Sequence, residues 1–202
     1  MSKLIIGITG RFASGKTTVA KLFKEEGFYE IDVDSYGYKA LSDKKNEIVK
    51  KFGTHILNND NKINRKKLGE IVFNSETQLK QLNEIVHPYM KSCIKYDIEH
   101  NVNHNKIIIN AALLIPMKLH SICSKIIYVK SDINNIIKRG IERDNRNKKQ
   151  ISFILSNQPT TKQLSEIADY IIENNKDINT LVKNTKKLIE KIRSENIYDS
   201  TE

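Results

Sequence analysis

The sequence predicts an α/β fold: a five-stranded parallel sheet of P-loop NTPase type, with helices on both faces, an inserted helical lobe and a lid. Three observations carry this expectation. An apolar run, Leu4-Ile5-Ile6-Gly7-Ile8, leads into a glycine-containing loop and then a helical pattern. Further short apolar runs alternate with helical patterns along the chain, which is the signature of parallel strands joined by crossover helices. The 202 residues show no internal repeat and suit one core.

The elements follow in order. Leu4 to Thr9 reads as a buried strand, and Lys16 to Glu26 as a helix with Val19, Ala20, Leu22 and Phe23 inward and Gly27 as its stop. Phe28 to Ile31 is a second strand, ending in Asp32-Val33-Asp34, with a helix starting near Ser35. The next buried strand is Lys106 to Ile109. The stretch between is too long for one crossover helix. It carries helical patterns at 47–52, 66–73, 77–86 and 89–100, the last two separated by His87-Pro88. Lys125 to Val129 is a fourth strand and Asn134 to Arg143 a helix. The run 143–149 is charged and reads as flexible, and Ile151 to Ser156 resumes helix before Asn157-Gln158-Pro159 breaks it. Tyr170 to Glu173 is the fifth strand, Ile178 to Ile192 a final amphipathic helix, and the tail beyond Arg193 reads as frayed. A single domain results: core about 1–34, 104–138 and 168–193, helical lobe about 35–103, lid about 139–167.

Gly10, Gly15, Lys16 and Thr17 fit G-x-x-x-x-G-K-[ST], the phosphate-binding loop, in its strand-before, helix-after context. The glycines let backbone N–H groups turn toward an anion, and the following helix aims its positive end at the same point. Ala13, Ser14 and Thr18 complete the loop's surroundings. Lys16 supplies charge for the β- and γ-phosphates, and the Thr17 hydroxyl is placed to ligate Mg²⁺. Strand carboxyl ends face the ligand crevice, so Asp32 and Asp34 should look into the same cleft. On spacing alone two readings stand: a carboxylate that takes the proton of an acceptor hydroxyl, or a cap for the next helix. Arg139 and Arg143 are four apart and share a helix face, which suits a lid closing on triphosphate.

Composition narrows the partners. The formal charge is +10, but the lysines fall in scattered pairs such as Lys66-Lys67 and Lys186-Lys187, without an aromatic-and-basic stripe, so no nucleic-acid partner is expected. No apolar stretch approaches a membrane span, and the N-terminus lacks a signal-peptide pattern. Cys93 and Cys123 lack metal spacing and read as thiols of a reducing cytoplasm. A cytoplasmic monomer is the expectation.

Over nearly its whole length the chain resembles the dephospho-coenzyme A kinase family. The residues that carry the resemblance are the loop, Gly27-Phe28-Tyr29-Glu30-Ile31-Asp32-Val33-Asp34, the helix end Leu82 to His87-Pro88, Arg139 with Arg143-Asp144, Gln158, and Ala168-Asp169-Tyr170-Ile171-Ile172-Glu173-Asn174. The resemblance implies transfer of the γ-phosphoryl group of ATP to the ribose 3′-hydroxyl of dephospho-coenzyme A, the last step of coenzyme A biosynthesis, with Mg²⁺. It implies Asp34 as general base and Asp32, Asp34 and His87 at the acceptor, although His87 could equally cap and pack a helix start. It implies Arg139, Arg143 and Asn174 at ATP, although Asn174 could simply end a strand. Arg11 and Ala13 replace two of the family's loop glycines, Tyr38 stands where a basic residue is usual, and Ala112-Leu113-Leu114-Ile115-Pro116 lacks the family's acidic residue. Two alternatives are another small-molecule P-loop kinase, acting on a nucleoside or nucleotide, and a non-catalytic nucleotide-binding regulatory protein.

Overall fold

A computed structural model describes residues 3–101, 103–144 and 146–198. Its centre is a five-stranded, all-parallel sheet in the order β2-β3-β1-β4-β5. The strands are β1 (Leu4–Thr9), β2 (Tyr29–Asp32), β3 (Lys106–Asn110), β4 (Lys125–Lys130) and β5 (Tyr170–Glu173). The helices are α1 (Lys16–Glu25), α2 (Val33–Asp43), α3 (Lys45–Phe52), α4 (Arg65–Val72), α5 (Glu76–His100), α6 (Ile133–Asp144), α7 (Lys148–Ser156), α8 (Thr161–Ile167) and α9 (Ile178–Tyr198).

Strands buried on both faces need apolar residues at every position, not alternate ones. In β3, Ile108 packs on one face with Ile6, Ile8, Val19, Phe23, Leu181 and Ile189, beneath α1 and α9. Ile107 and Ile109 pack on the other with Val33, Ile48, Leu68, Leu82, Met90 and Ile94, beneath α2 to α5. A third, small cluster of Ala13, Ile136, Ile151 and Leu155, with Phe12 and Ile137 against it, joins the loop after β1 to α6 and α7. Because all strands run one way, Thr9, Asp32, Asn110 and Lys130 end on the same edge of the sheet.

The structure departs from the sequence expectations at several places. The two helices expected on either side of His87-Pro88 are one 25-residue helix, α5, with Pro88 inside it. Proline removes an N–H donor and crowds the preceding turn, at a cost of about 3 kcal/mol or more. The buried row Leu82, Val86, Met90 and Ile94 continues across it and holds the helix together by packing. The strand does not run through Asp34: β2 stops at Asp32 and α2 starts at Val33. The final helix runs on past Arg193 to Tyr198, and residues 199–202 of the expected tail lie outside the described residues. Helix α8, inside the expected lid, had no recognised pattern, yet Thr160 and Gln163 form a capping box at its start. Of the expected flexible run 143–149, Asn145 lies outside the described residues, and Lys148 and Lys149 open α7.

Candidate active site

The loop between β1 and α1 takes its shape from close approaches. A Cβ on Gly10 would stand 2.5 Å from both Ser14 Oγ and the Val129 carbonyl oxygen, so only glycine fits. Gly15 is left-handed at φ 102° and caps α1, and a Cβ there would strike Asn174 Nδ2 at 2.3 Å. Ala13 is also left-handed, at φ 54°. That conformation costs an L-residue roughly 1–2 kcal/mol. Burial of the Ala13 methyl among Ile136, Ile151 and Leu155 opposes the cost. The loss of the family glycine at this position therefore leaves the loop geometry intact.

Arg11, the other departure, turns away from the phosphate position. Its Nη2 donates to the Leu155 carbonyl at 2.7 Å, in the last turn of α7. The next residue, Phe12, donates its N–H to Gln158 Oε1 at 2.8 Å. The tip of the loop is thus tied to the end of α7.

Gly15, Lys16, Thr17 and Thr18 line a cleft of about 670 Å³ together with Ala13 and Ser14. Asp34, Tyr38, His87 and Arg143 line its other walls, with Ala112, Leu113 and Pro116 from the loop after β3. Lys16 is half-buried, and desolvation lowers its pKa. Asp34 and Asp32 oppose that shift, and Arg143 reinforces it. A cation held among both signs of charge at the mouth of a helix is suited to meeting phosphate.

Asp32 and Asp34 divide the two roles that spacing left open. Asp32 caps α2: its Oδ1 accepts the Asp34 N–H at 3.1 Å. Burial, then the neighbouring Asp34 charge, raises its pKa. Asp34, in the first turn of α2, is exposed and lines the cleft, whereas Asp32 does not. His87 sits in the middle of α5, not at a helix start, on the face it shares with Leu79 and Asn83, and all three line the cleft. Burial, followed by the Lys91 charge, lowers its pKa and favours the neutral ring.

Arg139 and Asn174 stand behind the loop, outside the cleft lining. Arg139 Nη2 donates to the Asn174 carbonyl at 3.0 Å, and its Nη1 to Ser131 Oγ at 3.2 Å. Asn174 is buried and passes the connection on, donating Nδ2 to the Ser14 carbonyl at 2.8 Å. Of the two arginines on α6, only Arg143 reaches the cleft. The family model for dephospho-CoA kinase (CoaE) matches residues 4–180.

The chain belongs to the dephospho-CoA kinase family. It is 37% identical over 195 residues to the dephospho-CoA kinase of Fusobacterium nucleatum, covering 95% of this chain and all of that one. It is 42% identical to that of Borreliella burgdorferi, with 94% of each chain covered. In structure it is similar to the dephospho-CoA kinase from Campylobacter jejuni, with a TM-score of 0.72 at 26% identity over 95% of this chain and 98% of that one.

Several residues that line the cleft are specified by no motif in the sequence. Phe12, Phe73, Phe153 and Arg146 all face the cleft. Phe73 and Phe153 meet edge to face at 6.4 Å, and the Arg146 guanidinium lies 5.8 Å from the Phe12 ring. Phe73 follows the end of α4 and Phe153 lies in α7, far apart in sequence, and no local spacing joins them. Only the folded chain reveals Phe73 as an exposed apolar side chain at the cleft, at 39%. The donor set at the loop fits Mg²⁺. Thr17 is exposed beside Lys16, the facing wall carries the Asp34 carboxylate, and these are hard oxygen donors. Among the described residues no three His, Cys, Asp or Glu side chains gather to hold an ion by themselves. An ion carried in mainly by phosphate and water fits that arrangement.

Proposed function

We propose that the chain transfers the γ-phosphoryl group of ATP to the ribose 3′-hydroxyl of dephospho-coenzyme A, giving coenzyme A and ADP. The observation that supports this most is that Lys16, Asp34 and Arg143 line a single cleft and lie close enough for both charges to act on Lys16. The loop N–H groups and Lys16 hold the β- and γ-phosphates, and Arg143 adds charge as the γ-group transfers. Asp34 is available as base because Asp32 takes the capping role. Asp34 orients the 3′-hydroxyl and accepts its proton as the new O–P bond forms and the bond to the β-phosphate oxygen breaks. Mg²⁺, when bound through Thr17 and the phosphates, supplies further neutralisation of their charge. Arg139 and Asn174 support ATP binding from behind, by fixing the loop.

Residues 139–167 act as a lid over a core and helical lobe, and their contacts with the loop through Arg11, Phe12 and Gln158 support that division. The enzyme works as a monomer in a reducing cytoplasm, and the two free thiols, Cys93 and Cys123, fit the reducing setting. Coupled ADP release tests the reading. ADP should form with dephospho-coenzyme A, should require Mg²⁺, and should form little with nucleosides or nucleotides as acceptors. ADP formed with a nucleotide alone would assign a different small-molecule kinase.

A further inference from the structure

A second cavity opens off the reaction cleft, between α4 and α7. Its volume is about 630 Å³, and it shares Phe73, Arg146, Phe153 and Ile154 with the cleft. Arg65, Lys66, Arg146 and Lys149 line it, against a single carboxylate, Glu70. In a chain of net charge +10, four cations alone would mean little. What distinguishes this wall is that its arginines are held on aromatic rings. The Arg65 guanidinium carbon lies 3.9 Å from the centroid of the Tyr38 ring. Across the cavity, Arg146 lies 6.0 Å from the Phe73 ring. A guanidinium packed over a ring keeps N–H donors free to meet an anion, and loses less rotamer freedom when it does. Among the described residues no carboxylate forms an ion pair with Arg65.

The position of Arg65 relative to the base gives this charge a purpose. Asp34 and Tyr38 are four residues apart on α2, so they share a face, roughly 6 Å apart at Cβ. Both line the cleft, and Arg65 lies one ring-stacking distance beyond Tyr38. In dephospho-coenzyme A the 3′-hydroxyl and the 5′-diphosphate leave the same ribose. With the hydroxyl at Asp34, the diphosphate must lie within one sugar's width of it. The loop, Lys16 and Arg143 serve the phosphates of the donor, which leaves Arg65 for those of the acceptor.

We propose that Arg65, held on Tyr38, binds the 5′-diphosphate of the acceptor and sets acceptor specificity, with Arg146 facing it from the other wall. The proposal rests on the phosphoryl-transfer reading above. It makes Tyr38, the departure from the family's basic residue, a platform for Arg65.

Steady-state kinetics with both substrates varied tests it, on the parent chain and on Arg65→Ala, Arg65→Lys and Tyr38→Leu, each checked for an unchanged thermal melt. A charge-assisted contact to phosphate is worth enough that Arg65→Ala should raise the KM for dephospho-coenzyme A about 10-fold or more. The KM for ATP and kcat at saturating acceptor should stay close to the parent's, the pattern of lost ground-state binding. Arg65→Lys should recover part of the loss. Tyr38→Leu keeps the guanidinium but removes its platform, so it should also raise the acceptor KM alone. It tests the claim even if Arg65→Ala does not fold. Added salt should narrow the gap between parent and Arg65→Ala. An acceptor KM left unchanged in both Arg65→Ala and Tyr38→Leu, or a rise shared equally with ATP, would overturn the proposal while the reaction stands. Absence of turnover with dephospho-coenzyme A in the parent chain would overturn both.

Discussion

Arg11 reaches from the tip of the phosphate loop to the Leu155 carbonyl, 2.7 Å away at the end of α7. The residue that looks most out of place beside phosphates therefore serves a different partner. It brings a positive charge to the negative end of a helix and adds a donor to one of that helix's last carbonyls, which also accepts the Gln158 N–H at 3.4 Å. Its Nε is buried without a hydrogen-bond partner, which offsets part of the gain. Arg11→Gly, which restores the family's residue, is expected to destabilise the fold by about 1–2 kcal/mol, the usual range for a hydrogen bond made by a charged group less that offset. Denaturant titration measures the loss, and the KM for ATP should rise with it as α7 loosens from the loop. A variant as stable as the parent, with the same KM, would make the contact incidental.

Lys16→Ala should abolish most turnover while leaving the fold intact. Removing one preorganised charge from a phosphoryl-transfer site costs about 10²-fold or more in rate. The side chain contributes little to stability, because desolvation, the largest influence on its charge, opposes the attraction of Asp34 and Asp32. ADP release and a thermal melt on the same preparation check the two halves. Near-normal turnover would remove the loop from the mechanism.

Asp34→Asn keeps the shape of the side chain and removes the proton acceptor. It should lower kcat by about 10²-fold or more, within the range for loss of a general base, with ATP affinity little changed. Asp32→Asn should retain much more activity, since asparagine also caps a helix. Kinetics and ATP binding on both variants decide the matter. A fast Asp34→Asn beside an inactive Asp32→Asn would reverse the roles.

The raised pKa of Asp32 makes a prediction about stability. Its folded-state pKa lies above the unfolded value, so the folded chain holds that proton more tightly. The contribution of Asp32 to stability is then greatest below the ordinary carboxylate range near pH 4 and is lost as pH rises through the folded value. Asparagine mimics the protonated form at every pH. Asp32→Asn should therefore melt higher than the parent at pH 7, and the gap should close as pH falls toward 4. Melts at the two pH values test this. A gap that is constant or widens on acidification would contradict it.

Much of this chain was readable from local pattern. Leu4 to Thr9, the loop through Thr17, the inward set Val19, Ala20, Leu22 and Phe23, and the five strands along the chain all follow from periodicity and glycine placement, which act over a few residues. Family resemblance put Asp34 at the acceptor, and the structure brings it to the cleft. What local pattern could not decide was anything set by partners distant in sequence. Pro88 reads as a break until the core row from Leu82 to Ile94 is seen to span it. Arg139 and Arg143 read alike on one helix face, yet Asn174 and Ser131 hold one behind the loop while the other reaches the cleft. Arg11 and Tyr38 read only as departures from a pattern until Leu155 and Arg65 supply their contacts. A side chain's direction and its partner are settled by packing across the whole chain, and spacing along the sequence carries no record of who stands opposite.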